Sequence, residues 1–420
     1  MAHNCNVVCG QGIYGVSGRP APLPARPPVR PGADVVAQAA YNARYFQLFS
    51  PPHTRYTKGR RTVMNHMYAN RREKLRQAMR ARGLDALLVS QAANRFYLSG
   101  FELHDPQYNE SAGRLVITAD GRDWLATDAR YLDAAARLWD AERIFIYGGY
   151  AARDIYGLLR RCGGRIGVEA QGMSLAFARD LRQAGPGLYC EAADGLVEHL
   201  RRIKEPCEVA ALEKSFALNH KMLQWVESQL EPSRTETQVS WLIERFFREN
   251  GASELAFANI VAVGKNAALP HAIPGEDVIT DNCPVLIDVG CRVDSYCSDQ
   301  TRTFWVGEQP TDEFRRTYDL VRQAQTAAIE SMRPGQPMRD AYGYARAVFE
   351  KAGTAEAFTH GLGHGVGLET HEAPSLSPRS EGVLEPGMVV TVEPGLYYNQ
   401  WGGVRWEYTV LVEEDGVRIL

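Results

Sequence analysis

No apolar run in this 420-residue chain approaches the roughly 18 residues that a membrane-spanning helix needs. Residues 1–18 also lack the charged start and apolar stretch of a secretory signal, so a cytoplasmic protein is expected, with no membrane partner. An excess of charge of either sign is absent as well, with 47 Lys and Arg against 50 Asp and Glu. A formal net charge of -3 leaves no surplus of cations to neutralise phosphates, which excludes nucleic acid as an expected partner. The eight cysteines (Cys5, Cys9, Cys162, Cys190, Cys207, Cys283, Cys291, Cys297) form no CxxC pair and no zinc-ribbon spacing. They read as free thiols in a reducing compartment.

Acidic residues are nearly absent from residues 1–63, where Asp34 stands alone against seven arginines and one lysine. The stretch "RPAPLPARPPVRPG", residues 19–32, holds six prolines, and a segment of this composition cannot build a core. It suits a flexible tail, an organellar transit peptide, or upstream sequence translated from the wrong start codon. The last is favoured because Met64 and Met67 directly precede a typical domain-opening helix and strand.

What is present is a globular composition, 45% hydrophobic and 10% aromatic, over a length sufficient for two or three domains. Residues 64–198 alternate helix and strand: "NRREKLRQAMRARG" has helical periodicity, "DALLVS" is a short buried strand, "RLVITADGRDWLATD" is a hairpin around Asp120-Gly121, and "RIGVEA" is another strand. This predicts a smaller α/β domain. From about residue 199 a second domain begins, with long helices after Pro206 and Pro232. Strands follow at "NIVAVG", "PVLIDVG", "RTFWVG", "GMVVTVEPGLYY" and "YTVLVEEDG", with helices between 310 and 353, so residues 199–420 are expected to be α+β.

The histidines are concentrated in one place. "FTHGLGHGVGLETHEAPSLS", residues 358–377, carries His360, His364 and His371, three of the ten in the chain. Carboxylates explain them. Asp288 and Asp299 lie on neighbouring apolar strand segments, Glu393 ends the strand "VVTVEPGLYY", and Glu407 lies within "GGVRWEYTVLV". These strands are expected to form one sheet, which would bury four carboxylates together. Unpaired, they would repel one another at a heavy desolvation cost, so either some stay protonated or cations sit among them. Two divalent cations would balance four carboxylates, and a neutral imidazole from the glycine-flanked His364 would make a set of five ligands.

The contexts "LIDVG", "YCSDQTRTF", "GLGHGVGLETHEAP", "TVEPGLYY" and "GGVRWEYTVLV", in that order, resemble the pita-bread metallopeptidases, specifically the aminopeptidase P and prolidase branch. The resemblance spans residues 67–420 and includes "LPHAIPG" at His271. It implies a pita-bread catalytic domain behind a creatinase/prolidase-type amino-terminal domain, and a homodimer. It further implies two metal ions sharing a water or hydroxide, with Asp299 and Glu407 bridging both ions, Asp288 on one, and His364 with Glu393 on the other. Oxygen-rich ligation suits manganese first and cobalt second. His271 and His371 match family residues that line the pocket as non-ligands and hydrogen-bond the scissile carbonyl. Glu393 is also a proton carrier, Arg405 orients carboxylates or substrate, Tyr397 is expected only to pack, and His360 to be structural. The implied reaction removes an amino-terminal residue from Xaa-Pro peptides or dipeptides. One departure is specific to this chain: where the family reads "VRIEDT" it reads "VRWEYT". Trp406 and Tyr408 are therefore expected to narrow the pocket beside Glu407, and they sustain the alternative of a metal-using non-peptidase, a small-molecule hydrolase or lyase, on the same fold.

Overall fold

The structure, a computed structural model, describes residues 58–101, 105 and 110–420. The segment up to residue 57, and with it the whole of the proline-rich stretch 19–32, lies outside the described residues.

The helix Lys58–Ala81 ends just before Gly83, and the chain turns into the strand Ala86–Val89, every residue of which is buried. Burial on both faces is what a central strand requires, and this one sits inside a six-stranded mixed sheet. It pairs antiparallel with Arg114–Thr118 and parallel with Arg165–Val168. Trp124–Thr127 follows Arg114–Thr118 through the hairpin expected at Asp120-Gly121, with Ile144–Ile146 and Tyr189–Ala192 at the two edges. Leu87 and Leu98 belong to the apolar core on one face of the sheet, Leu88 and Leu158 to that on the other.

The helix Leu196–Arg201 runs across the expected 198/199 boundary. Beyond it, Pro206 occupies the first turn of the helix Pro206–Glu227, where its missing N–H costs nothing, and Thr235 caps Glu236–Glu249. Three antiparallel strands come next, ordered Gln300–Val306, Cys283–Val289, Ile260–Val263. A separate five-stranded sheet runs from Glu372–Leu376 through Gly363–Gly365, Val389–Val392 and Tyr408–Val412 to Val417–Ile419. The helices Asp312–Ser331 and Met338–Lys351 pack on it through Val321, Ala345 and Phe349.

Here the structure corrects a sequence expectation. The four carboxylates do not share one sheet: Asp288 and Asp299 come from the three-stranded sheet, while Glu393 and Glu407 leave strands of the five-stranded one. Nor is "VVTVEPGLYY" a single strand. Pro394 has no N–H for a ladder, and the chain after it, Gly395–Tyr398, pairs instead with Gly402–Arg405 in a two-stranded ribbon. Among the described residues no helix is long and apolar enough to cross a membrane. The six described cysteines are free, and Cys283, Cys291 and Cys297 are buried.

One apolar cluster joins the two halves: Leu75 and Leu115 from the first, Leu212, Phe216 and Leu411 from the second. Phe216 is only 1% exposed. Phe216→Ala should lower unfolding free energy by about 3–5 kcal/mol, measured by denaturant titration of the full chain, because the cavity it leaves cannot close between two packed bodies.

Candidate metal centre

The strand pair Cys283–Val289 and Gln300–Val306 places Asp288 opposite Thr301, with Asp299 one residue before the second strand. Thr301 ties this sheet to the other. Its carbonyl accepts the Glu407 backbone N–H at 3.2 Å. Its hydroxyl donates to Glu407 Oε2 at 3.0 Å while accepting from Arg405 Nε at 3.0 Å. Arg405 is itself buried; its Nη2 donates to Asp288 Oδ2 at 2.6 Å, and its Nη1 to the Pro270 carbonyl and the Tyr397 hydroxyl.

His364 arrives from the neighbouring strand Gly363–Gly365. A Cβ on Gly363 would lie 2.0 Å from the Thr391 carbonyl oxygen, so only glycine permits the approach. The His364 backbone N–H donates to Thr391 Oγ1 at 3.0 Å, and that hydroxyl donates to Glu393 Oε1 at 3.2 Å. In the ring, Nδ1 lies 3.2 Å from the Gly365 carbonyl, which calls for a proton there. Nε2 faces Glu393 Oε1, 3.2 Å away, and Asp299 Oδ2, 3.6 Å away. A carbonyl fixing one ring nitrogen while the other faces carboxylates is the arrangement of a metal-binding histidine.

Two sets of ligand atoms fall within 4.8 Å of one another: Asp288, Asp299 and Glu407 in one, Asp299, His364 and His371 in the other. Asp299 belongs to both. Glu407 Oε1 and Asp288 Oδ1 are buried without a hydrogen-bond partner. The protons report the same crowding. Burial, then the charges of Glu407, Asp288 and Glu393, push Asp299 well above the carboxylate range. Burial, then Glu393 and Asp288, do the same to Glu407. Burial would raise Glu393 too, but the hydrogen bond and charge of His364 outweigh it and hold Glu393 at about 2. Burial would lower His364, but the same Glu393 carboxylate lifts it to about 9. Orphaned buried oxygens beside carboxyls that cannot all ionise fit divalent cations, so the residues suit the metal that their pattern implied.

The site opens on a cavity of about 480 Å³. Asp288, Asp299, His364, Glu393, His271, His371 and Arg405 all line it, whereas Glu407 lies beneath, 1% exposed. The His371 and His364 rings meet edge to face, 4.2 Å between centroids. Phe257, Ala258, Ile260, Ala272 and Ile273 supply an apolar part of the same lining. Tyr397 does more than pack: besides receiving Arg405, its hydroxyl lies 2.8 Å from Nε2 of His360. His360 Nδ1 is 2.7 Å from the Gly361 carbonyl, so Nδ1 carries the proton and Nε2 accepts from Tyr397. Trp406 and Tyr408 do not narrow the pocket. They are absent from its described lining and instead sandwich the Arg302 guanidinium at 4.4 and 4.6 Å.

Comparison with known proteins follows this geometry. Residues 210–414 match the model of metallopeptidase family M24, and residues 71–203 that of the creatinase/prolidase N-terminal domain. An Xaa-Pro dipeptidase of Pyrococcus furiosus is 30% identical over 350 residues, 83% of this chain and 97% of the relative. Among solved structures, an Xaa-Pro dipeptidase from Bacillus anthracis superposes with a TM-score of 0.78 at 33% identity, covering 84% of this chain and 97% of that one. An X-Pro aminopeptidase from Thermotoga maritima gives 0.72 at 30%, covering 80% and 95%.

Asp299, Glu407 and His364 all bind protons more tightly in the metal-free fold than in the unfolded chain. The stability these protons confer is complete below the unfolded values and is lost as pH rises through the folded ones. Metal binding needs the same groups deprotonated, so the gap in thermal midpoint between metal-loaded and metal-free protein should widen from pH 5.5 to pH 8. Differential scanning fluorimetry with and without chelator measures it, and a gap that narrows with pH contradicts the assignment.

Proposed function

The chain belongs to metallopeptidase family M24, and from that premise we propose that it hydrolyses the bond between an amino-terminal residue and a following proline. The observation that carries the proposal is the convergence of Asp288, Asp299, His364, Glu393 and Glu407 under a cavity with a partly apolar lining. These five residues would hold two divalent ions, manganese first and cobalt second. When bound, such a pair supplies Lewis acidity that makes water nucleophilic near neutral pH and polarises a carbonyl. The chain's own side chains do the rest. Arg405 and Thr301 keep Asp288 and Glu407 aimed. His371, and His271 across the cavity, donate to the scissile carbonyl oxygen as it gains charge. Glu393 takes the proton released by water and returns it to the departing proline nitrogen, which has no N–H of its own. The apolar part of the lining, from Phe257 to Ile273, receives the proline ring. The non-peptidase alternative loses its motivation, since Trp406 and Tyr408 lie outside the cavity lining.

One observation favours longer peptides over free dipeptides. Among the described residues lining the cavity, Arg405 carries the one guanidinium, and Asp288, Tyr397, Pro270 and Thr301 already occupy it. The free carboxylate of an Xaa-Pro dipeptide would meet no uncommitted lysine or arginine there, whereas a tripeptide places an amide at that point. We therefore favour an Xaa-Pro aminopeptidase over a dipeptidase. A homodimer in the cytoplasm completes the proposal; the family resemblance and the free thiols support it.

Asp299→Asn and Glu407→Gln should each abolish turnover and release metal. His371→Ala should keep its metal and lose about 10²–10³ in kcat, the scale of one lost oxyanion donor. Metal analysis beside steady-state kinetics separates the two classes, and metal loss from His371→Ala would make it a ligand.

With manganese bound, Xaa-Pro tripeptides should be cleaved some 10–200-fold faster than matched Xaa-Ala ones, because the apolar lining loses the ring's methylene contacts. The matching Xaa-Pro dipeptide should be the poorer substrate by kcat/KM. Absence of cleavage of any Xaa-Pro peptide by a fully metallated protein would refute the assignment.

A further inference from the structure

All described residues lining the cavity lie between 257 and 405, so the amino-terminal domain contributes none of them. It nevertheless reaches the segment that carries His371. The bridge is a line of buried polar groups. Glu169, 1% exposed, accepts the backbone N–H groups of Ser90 and Gln91 at 2.5 and 2.7 Å and the Asn94 side-chain amide at 2.7 Å. The Asn94 carbonyl oxygen accepts from Arg201 Nη1 at 2.8 Å. Arg201 Nη2 donates onward to Glu369 at 2.8 Å and to Glu372, and Lys204 Nζ donates to the other Glu372 oxygen at 2.9 Å.

Arg201, Lys204 and Glu372 are nearly sealed from solvent, with side chains 2%, 1% and 6% exposed. Glu372 is the residue after His371, and Glu369 lies two before it, so the clasp grips the turn on both sides of the imidazole. The backbone is shaped to admit the grip. A Cβ on Gly367 would sit 2.4 Å from Glu372 Oε1, so the carboxylate lies where any other residue would intrude. On the far side Thr370 Oγ1 donates to the Ala256 carbonyl at 3.2 Å, fixing the same turn to the catalytic domain.

We infer that Arg201 and Lys204 are positioning residues for His371, and that through Arg201 and its bond to Asn94 the amino-terminal domain sets the orientation of the histidine that faces the substrate carbonyl. The inference rests on the role given to His371 above. Buried, doubly bonded ion pairs hold an element in one arrangement more effectively than they add stability, because desolvation offsets most of their attraction. An oxyanion donor displaced by an ångström costs turnover and leaves ground-state binding nearly intact.

A double-mutant cycle on the full-length, manganese-loaded protein tests this, with an Xaa-Pro tripeptide as substrate. Arg201→Met and Lys204→Met should each lower kcat about 10- to 100-fold, with KM changed less than about three-fold and metal content unchanged. Arg201→Lys, which keeps the charge but cannot reach Asn94 and both glutamates together, should fall between. In the His371→Ala background the same substitutions should change kcat by less than about two-fold, since there is then no imidazole to misplace. Equal losses in both backgrounds would show a general structural role and overturn the inference. Hydrogen exchange supplies a readout independent of catalysis: amides of residues 366–376 should exchange faster in Arg201→Met and Lys204→Met, and unchanged exchange also overturns it. If Arg201→Met does not fold, Lys204→Met and Glu372→Gln carry the same cycle. A wild type that cleaves no Xaa-Pro peptide would defeat the functional proposal alone, and exchange would then decide whether the clasp orders the segment.

Discussion

Four carboxylates and one imidazole meet in one largely buried cluster, and the rest of the catalytic domain is arranged around that conflict of charge. Neither protons alone nor Arg405 alone resolves it. Arg405 reaches Asp288 directly, while Asp299 and Glu407 remain crowded enough to hold protons far above the usual carboxylate range. Divalent cations, which the family implies, would remove the conflict by supplying the missing positive charge. The same requirement explains the supporting hydroxyls. Thr301 and Thr391 each satisfy one carboxylate oxygen while accepting a further donor, so Glu407 and Glu393 are held in place by the protein's own hydrogen bonds.

Placing the carboxylates on two sheets rather than one has a geometric consequence. Asp288 and Asp299 move with one sheet, His364 and Glu393 with the other, and Glu407 is tied to both through Thr301. The centre therefore lies at the junction of two sheets. Arg302 adds a further tie at this junction: its guanidinium lies over the rings of Trp406 and Tyr408, and it donates to the Glu407 carbonyl. Alternation along this segment separates the tasks, with Glu407 beneath the cavity and its two aromatic neighbours on Arg302.

The amino-terminal domain fits the same scheme of aimed groups. It shares an apolar cluster with the catalytic domain and, through Asn94, holds the Arg201 arm of the buried clasp on Glu372. A domain that lends no described residue to the cavity can thus still bear on its geometry.

Much of this was legible in the chain itself. Local pattern located the helices after Pro206 and Pro232, the hairpin at Asp120-Gly121 and the buried strand Ala86–Val89, because those depend on capping, turn chemistry and periodicity within a few residues. The candidate metal centre was legible for a related reason: carboxylates written into or beside apolar segments violate ordinary burial rules, so each of Asp288, Asp299, Glu393 and Glu407 stood out as a candidate, and the glycines around His364 marked a close approach. Where the decision lay in long-range pairing, local pattern was silent. Which sheet a strand joins depends on partners a hundred residues away, so the separation of the carboxylates into two sheets and the break at Pro394 appeared only in three dimensions. Tyr397 looked like packing because its hydroxyl's partners, Arg405 and His360, are brought to it by the fold. Trp406 and Tyr408 were misplaced toward the pocket because alternation tells which residues share a face, not what that face meets. Arg201, Lys204 and Glu372 carried no signal at all, being ordinary charges on a helix, a linker and a strand end until tertiary packing buries them against one another. The sequence determined which groups cannot tolerate burial alone; the tertiary structure decided which of them are buried together, because that choice is made by contacts between segments far apart in the chain.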